Sequence, residues 1–145
     1  MSFEGSTVIN WPAFSQARSE LGAGFGRILG YFREDGVKSV AAIEAAMRSL
    51  NAAAMVIPAH TLKGEALQFG AEPLADLAEA IEVIARECVE MQDTPDEALE
   101  HIVRLRPLFR ETLTLLEREA NPIVARKPTA VGFGRRAVPT GFGEE

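Results

Sequence analysis

Apolar side chains return every three to four residues along most of this 145-residue chain, and no stretch alternates with period two for long enough to make a strand. From Leu74 the positions Leu74, Leu77, Ala78, Ile81, Ile84, Ala85, Cys88 and Met91 share one helical face, with Pro73 in a tolerated first-turn position. Thr94-Pro95-Asp96-Glu97 has the form of a second helix start, a capping residue followed by an N1 proline and a capping-box glutamate. That helix carries Leu99, Ile102, Val103, Leu105, Phe109, Leu113 and Leu116 and runs to about Ala120, before Asn121-Pro122. Pro107 predicts a kink or a local break inside it. Upstream, Val40, Ile43, Met47 and Leu50 mark a helix bounded by Gly36 and Asn51, and Phe25, Ile28, Leu29 and Phe32 mark another over roughly Glu20 to Glu34. A short helix around Pro12 to Arg18 completes the pattern. The expectation is an all-α protein: an antiparallel four-helix bundle with a short N-terminal capping helix.

Composition narrows the class. The net charge of −6 lacks the basic footprint of a nucleic-acid binder. A single cysteine, Cys88, allows neither an internal disulfide nor a cysteine zinc cluster. The charge-free run from Ser49 to Leu62 is interrupted by Asn51, Pro58 and His60 and is too short to span a bilayer. MSFEGSTVIN has neither the basic start nor the apolar stretch of a secretory leader. These features predict a cytoplasmic domain over residues 1–121. Residues 122–145 hold Arg126, Lys127, Arg135 and Arg136, two Gly-Phe-Gly repeats and no apolar period, and are expected to form a flexible basic tail. The glycines at 22, 24 and 26 match no phosphate-binding loop, while Gly22, Gly26 and Gly30 form a thin helical stripe suited to close helix approach.

The chemistry concentrates in Asn51 to Leu74, NAAAMVIPAHTLKGEALQFGAEPL. Asn51 is placed to cap a helix and Gly70 to close it in a left-handed conformation. Advancing roughly 100° per residue from His60 puts Met55, Ala59, Leu62, Ala66 and Phe69 together on the far side, as a core stripe. His60, Lys63, Gly64, Leu67 and Val56 share the opposite face, within roughly 60° of the histidine. An exposed imidazole is substantially neutral at cellular pH, so one ring nitrogen is free as a nucleophile. Lys63, one turn on, offers a positive charge to an anionic group carried there. Gly64 removes a side chain where an incoming group needs space. Val56 and Leu67 supply apolar area around the polar centre. His60 and Glu65 lack helical ligand spacing, and no metal site is expected; His101 reads as solvated or lightly packed. Glu79, Glu82, Glu87 and Glu90 read as a solvated acidic face, and Cys88 as a small buried hydrophobe.

His60-Thr61-Leu62-Lys63-Gly64, followed by Gly70-Ala71 and Leu74, resembles the signature of histidine-containing phosphotransfer (HPt) domains, with a looser likeness from about Leu21 to Leu116. By that resemblance His60 is phosphorylated on the ring nitrogen remote from the backbone, Lys63 helps hold the phosphoryl group, and Gly64 keeps the site open. Val56, Leu67, Gln68 and Ala71 would then lie on a docking surface for receiver domains. Glu65 departs from the small residue that many members carry at that position. The resemblance implies a monomeric phosphocarrier in a bacterial-type phosphorelay, serving receiver domains of hybrid histidine kinases and response regulators. It implies no cofactor of its own, the Mg²⁺ belonging to the receiver, and a carrier rather than an autokinase. Two alternatives share the pattern: the phosphotransfer domain of a chemotaxis-type kinase, and a helical adaptor without chemistry.

Overall fold

A computed structural model describes residues 8–120; the expected tail, 122–145, lies outside the described residues. The chain divides into two compact units between Leu115 and Leu116, and only residues 116–120 of the second are described. Five α-helices follow in order: α1 (Trp11–Leu21), α2 (Phe25–Arg48), α3 (Ala52–Gln68), α4 (Glu72–Met91) and α5 (Leu99–Ala120). The described residues contain no strand. Helices α2 to α5 form the expected antiparallel bundle, and α1 is the expected short N-terminal helix.

Several local expectations change. Gly36 does not end a helix: α2 runs unbroken through it, merging two expected segments. A Cβ at Gly36 would collide with the Phe109 ring, so the missing side chain lets α5 pack close against α2 here. The stripe Gly22, Gly26 and Gly30 is not a contact, since a Cβ at each would meet nothing within 4 Å. Gly22 instead ends α1 with a φ of 55°, leading into a single 3-10 turn, Gly22–Gly24. Thr94 does not cap a backbone N–H: its hydroxyl donates to Asp96 Oδ2 at 3.1 Å, and a 3-10 turn over Asp96–Ala98 precedes α5. Helix α5 continues through Pro107, so no break occurs there.

The core of the first unit is threaded by aromatic rings. Trp11, Phe14, Phe25, Phe69, Phe32 and Phe109 touch in sequence, with neighbouring centroids 5.3 to 5.6 Å apart. Such pairs add about 0.5–1.5 kcal/mol each beyond their buried area. The chain joins α1, α2, α3 and α5 around Phe32 and Phe69, both fully buried. Away from the rings, Arg106 of α5 grips Glu44 of α2 in a two-pronged ion pair at 2.6 and 3.1 Å. The guanidinium hydrogen bond holds the Glu44 carboxyl below its ordinary range, against the opposing effect of burial.

Candidate functional site

The site stands on α3. Asn51 caps it as expected, its side chain accepting from the Ala54 N–H at 3.1 Å. Pro58 lies inside the helix and cannot donate to the carbonyl of exposed Ala54, a local cost that α3 tolerates. At the other end Gly70 takes a φ of 76°, and the Ala71 N–H returns to the Ala66 carbonyl at 2.9 Å. A Cβ on Gly70 would lie 2.7 Å from the Asn10 carbonyl oxygen. Asn10 also binds this corner: its N–H donates to Gly70 at 2.8 Å and its side chain to Glu72 at 2.9 Å. The end of α3 is thereby fixed against the starts of α1 and α4.

Between those ends the helical wheel holds. Met55, Ala59, Leu62, Ala66 and Phe69 are completely buried, and His60 and Gly64 are exposed on the other side. A Cβ at Gly64 would meet nothing within 4 Å, so the space beside His60 is open. Leu67 is 54% exposed, Gln68 is exposed and Val56 is half-buried. Ala71 is not on that surface. It is fully buried, because it precedes α4 and turns inward as its N–H closes the α3 terminus.

The decisive neighbour comes from α4. Glu82 Oε2 lies 3.0 Å from His60 Nδ1 and accepts from Arg86 Nε at 2.9 Å, with Arg86 Nη2 at 2.8 Å. Its other oxygen faces Lys63 Nζ at 3.3 Å. The Glu82 side chain is 7% exposed and that of His60 60%, so a buried carboxylate steers an accessible imidazole. Burial pushes the Glu82 pKa up, but hydrogen bonds with Arg86 and His60 and the nearby Lys63 charge outweigh it and hold the carboxyl below its ordinary range. An ionised carboxylate only accepts, so Nδ1 carries the ring proton and Nε2 keeps the lone pair. Nε2 has no hydrogen-bond partner among the described residues.

The sequence reading missed this cluster. Glu82 is not part of a solvated face, although Glu79, Glu87 and Glu90 are exposed. Its signal was its position beside the buried alanines Ala75, Ala78 and Ala85, where a neighbouring helix comes close. Glu65 points away from His60 towards α2, where burial, then the charge and hydrogen bond of Asp35, push its carboxyl up to about 7. Arg86 and Val56 also line a groove of about 530 Å³ with Ala53, Ile57, Val89 and Glu90, in which Ile57 is 71% exposed. His101 lies on α5, half-buried, and lines a different groove together with Asp76 and Arg104. Cys88 is buried, its Sγ 3.5 Å from the Thr94 carbonyl. Among the described residues, no three His, Cys, Asp or Glu side chains gather as a metal site, and no helix is long and apolar enough to cross a membrane.

An all-helical bundle that presents His60 on its surface, flanked by Lys63, agrees with the class that the His60-Thr61-Leu62-Lys63-Gly64 segment resembles. The Hpt domain family matches residues 27–119, nearly two-thirds of the chain, and the protein belongs to that family. Its fold is similar to that of histidine-containing phosphotransfer protein B (HptB) from Pseudomonas aeruginosa PAO1, known from a crystal structure. The TM-score is 0.71 at 21% sequence identity, covering 81% of this chain and 98% of that one. Comparison with curated proteins gives no significant match. Membership of the family supports a histidine phosphotransfer role in two-component signalling.

Proposed function

We propose that this protein is a phosphocarrier whose acceptor atom is His60 Nε2, taking a phosphoryl group from a receiver-domain aspartate and passing it to another. The observation that carries the reading is the Glu82 contact at 3.0 Å, which occupies Nδ1 and leaves the lone pair on the accessible nitrogen.

In the forward step Nε2 attacks the phosphorus of a receiver aspartyl phosphate in line. The N–P bond forms as the P–O bond to the aspartate breaks, and that carboxylate leaves with the electron pair. Positive charge builds on the ring and is met at Nδ1–H by the Glu82 carboxylate, a fixed charge already in place before the reaction. Lys63, one turn from His60, is within reach of the phosphoryl oxygens once it releases Glu82 Oε1. The open space at Gly64 admits the incoming group, and Val56, Leu67 and Gln68 surround it as a docking surface. Return of the group to a second aspartate reverses these steps. The Mg²⁺ that assists transfer belongs to the receiver. A cytoplasmic monomer suits the task, because successive partners must reach the same His60 face.

The test is intact mass at neutral pH after incubation with phosphorylated receivers from the same cell, beside His60→Gln. One acid-labile phosphoryl group on the natural chain alone supports the reading. Gain only from a kinase with ATP transfers the protein to the chemotaxis-type setting. No gain from either donor leaves a helical adaptor.

A further inference from the structure

Glu82 makes two conflicting demands on His60. A buried carboxylate 3.0 Å from Nδ1 orients the ring, but it also favours the imidazolium, whose Nε2 has no lone pair to attack with. Arg86 bears on that conflict through the same atom. Its Nε and Nη2 both reach Glu82 Oε2, the oxygen that faces His60, at 2.9 and 2.8 Å. The guanidinium and the imidazole therefore compete for one carboxylate oxygen, and only two contact distances separate them.

We propose that Arg86 is a positioning residue for phosphoryl transfer: it balances the Glu82 charge so that the carboxylate can orient His60 without converting it to an imidazolium. The inference rests on the phosphocarrier reading above and adds a residue that the HTLKG segment does not contain. Lys63 is poorly suited to the same task. It faces the other oxygen, Oε1, at 3.3 Å, and its charge is needed by the phosphoryl group. The charged groups facing Glu82 are His60 and Lys63 from α3 and Arg86 from α4 itself. On the side of α4 towards α5, the charged and titratable groups are Asp76, His101 and Arg104, around Leu77 and Ala80. A guanidinium also stays charged at every relevant pH, so the balance does not titrate with the ring it protects.

The test compares full-length Arg86→Gln and Arg86→Lys with the natural chain. The Arg86 side chain is 56% exposed, so neither change opens the core. Nitrogen NMR follows the His60 ring titration, assigned against His60→Gln, and phosphoramidate serves as a small donor for rates across the same pH range. Gln at this position is expected to raise the His60 midpoint, because the Glu82 charge is then left facing the ring. The acid limb of the rate profile moves up equally, the alkaline plateau stays near that of the natural chain, and Lys restores most of the shift. A midpoint that stays or falls overturns the inference, as does a lowered plateau with an unmoved limb, which is what a merely structural role would give. If the natural chain accepts no phosphoryl group from phosphoramidate or from phosphorylated receivers, the carrier reading falls on that result alone, and the NMR midpoint still decides the charge balance.

Discussion

Replacing Glu82 with glutamine separates orientation of His60 from stabilisation of its charge. The amide keeps an oxygen able to accept from Nδ1–H but loses the negative charge. At the observed 3.0 Å and an effective dielectric near 20, a full unit charge on the ring would gain roughly 5 kcal/mol from the carboxylate. The ring is 60% exposed and screened by solvent, and hydrogen bonds to charged groups contribute about 1.5–3 kcal/mol, so roughly 2 kcal/mol is the working figure. The ordinary difference between charge-assisted and neutral hydrogen bonds sets a lower end of about 1 kcal/mol. The plateau rate of phosphorylation should therefore fall about five- to thirty-fold. The assay is the rate from phosphoramidate as a function of pH, with circular dichroism confirming an unchanged helix content. Loss of the carboxylate also removes a stabiliser of the imidazolium, so the acid limb should move to lower pH. A plateau within about twofold of the natural chain would refute the electrostatic role given to Glu82.

Lys63→Ala should slow transfer by about an order of magnitude while leaving helicity intact, and full transfer rates would count against its phosphoryl contact. Gly36→Ala should destabilise the fold by about 1 kcal/mol in urea titrations, because overpacking against Phe109 exceeds the gain in helix propensity. Gly30→Ala on the same helix, with nothing within 4 Å of its Cβ, should stabilise by about 0.5–1 kcal/mol; equal effects at both sites would contradict the packing account. The folded Glu65 carboxyl, pushed up to about 7, holds its proton where the unfolded chain has lost it. Its contribution is complete below the ordinary value of 4.5 and is lost as pH rises through about 7, so Glu65→Gln should flatten a decline in stability across that window. Glu82 acts with the opposite sign, its contribution present above its ordinary range and lost as pH falls.

Most of α3 was legible from residue order alone. A capping asparagine, a closing glycine and a five-residue apolar stripe fix its ends and its rotation, and the rotation by itself exposes His60. The partner groups from α4 were harder to read, because helical periodicity gives one helix's faces without the register between two helices. Glu82 lies roughly 100° from Ile81 on its helix, at the edge of the apolar stripe, where burial depends on how closely α3 approaches. The small side chains of Ala75, Ala78 and Ala85 permit that approach, and only the assembled pair shows that the edge position is covered. The glycines failed for a similar reason. A stripe at four-residue spacing marks a helix that is thin on one face, but Gly36, which breaks the stripe's spacing, is the one with a neighbour. Glycine weakens a helix, so the sequence alone marks Gly36 as a boundary, yet α2 runs through it and packs there against Phe109.

The identity of the acceptor atom is the most direct test of the whole arrangement. Phosphorus and nitrogen NMR on the phosphorylated chain distinguish a group on Nε2 from one on Nδ1. The geometry predicts phosphorylation of His60 at Nε2, with the Nδ1 proton retained towards Glu82. A phosphoryl group on Nδ1, or on any residue other than His60, would contradict it.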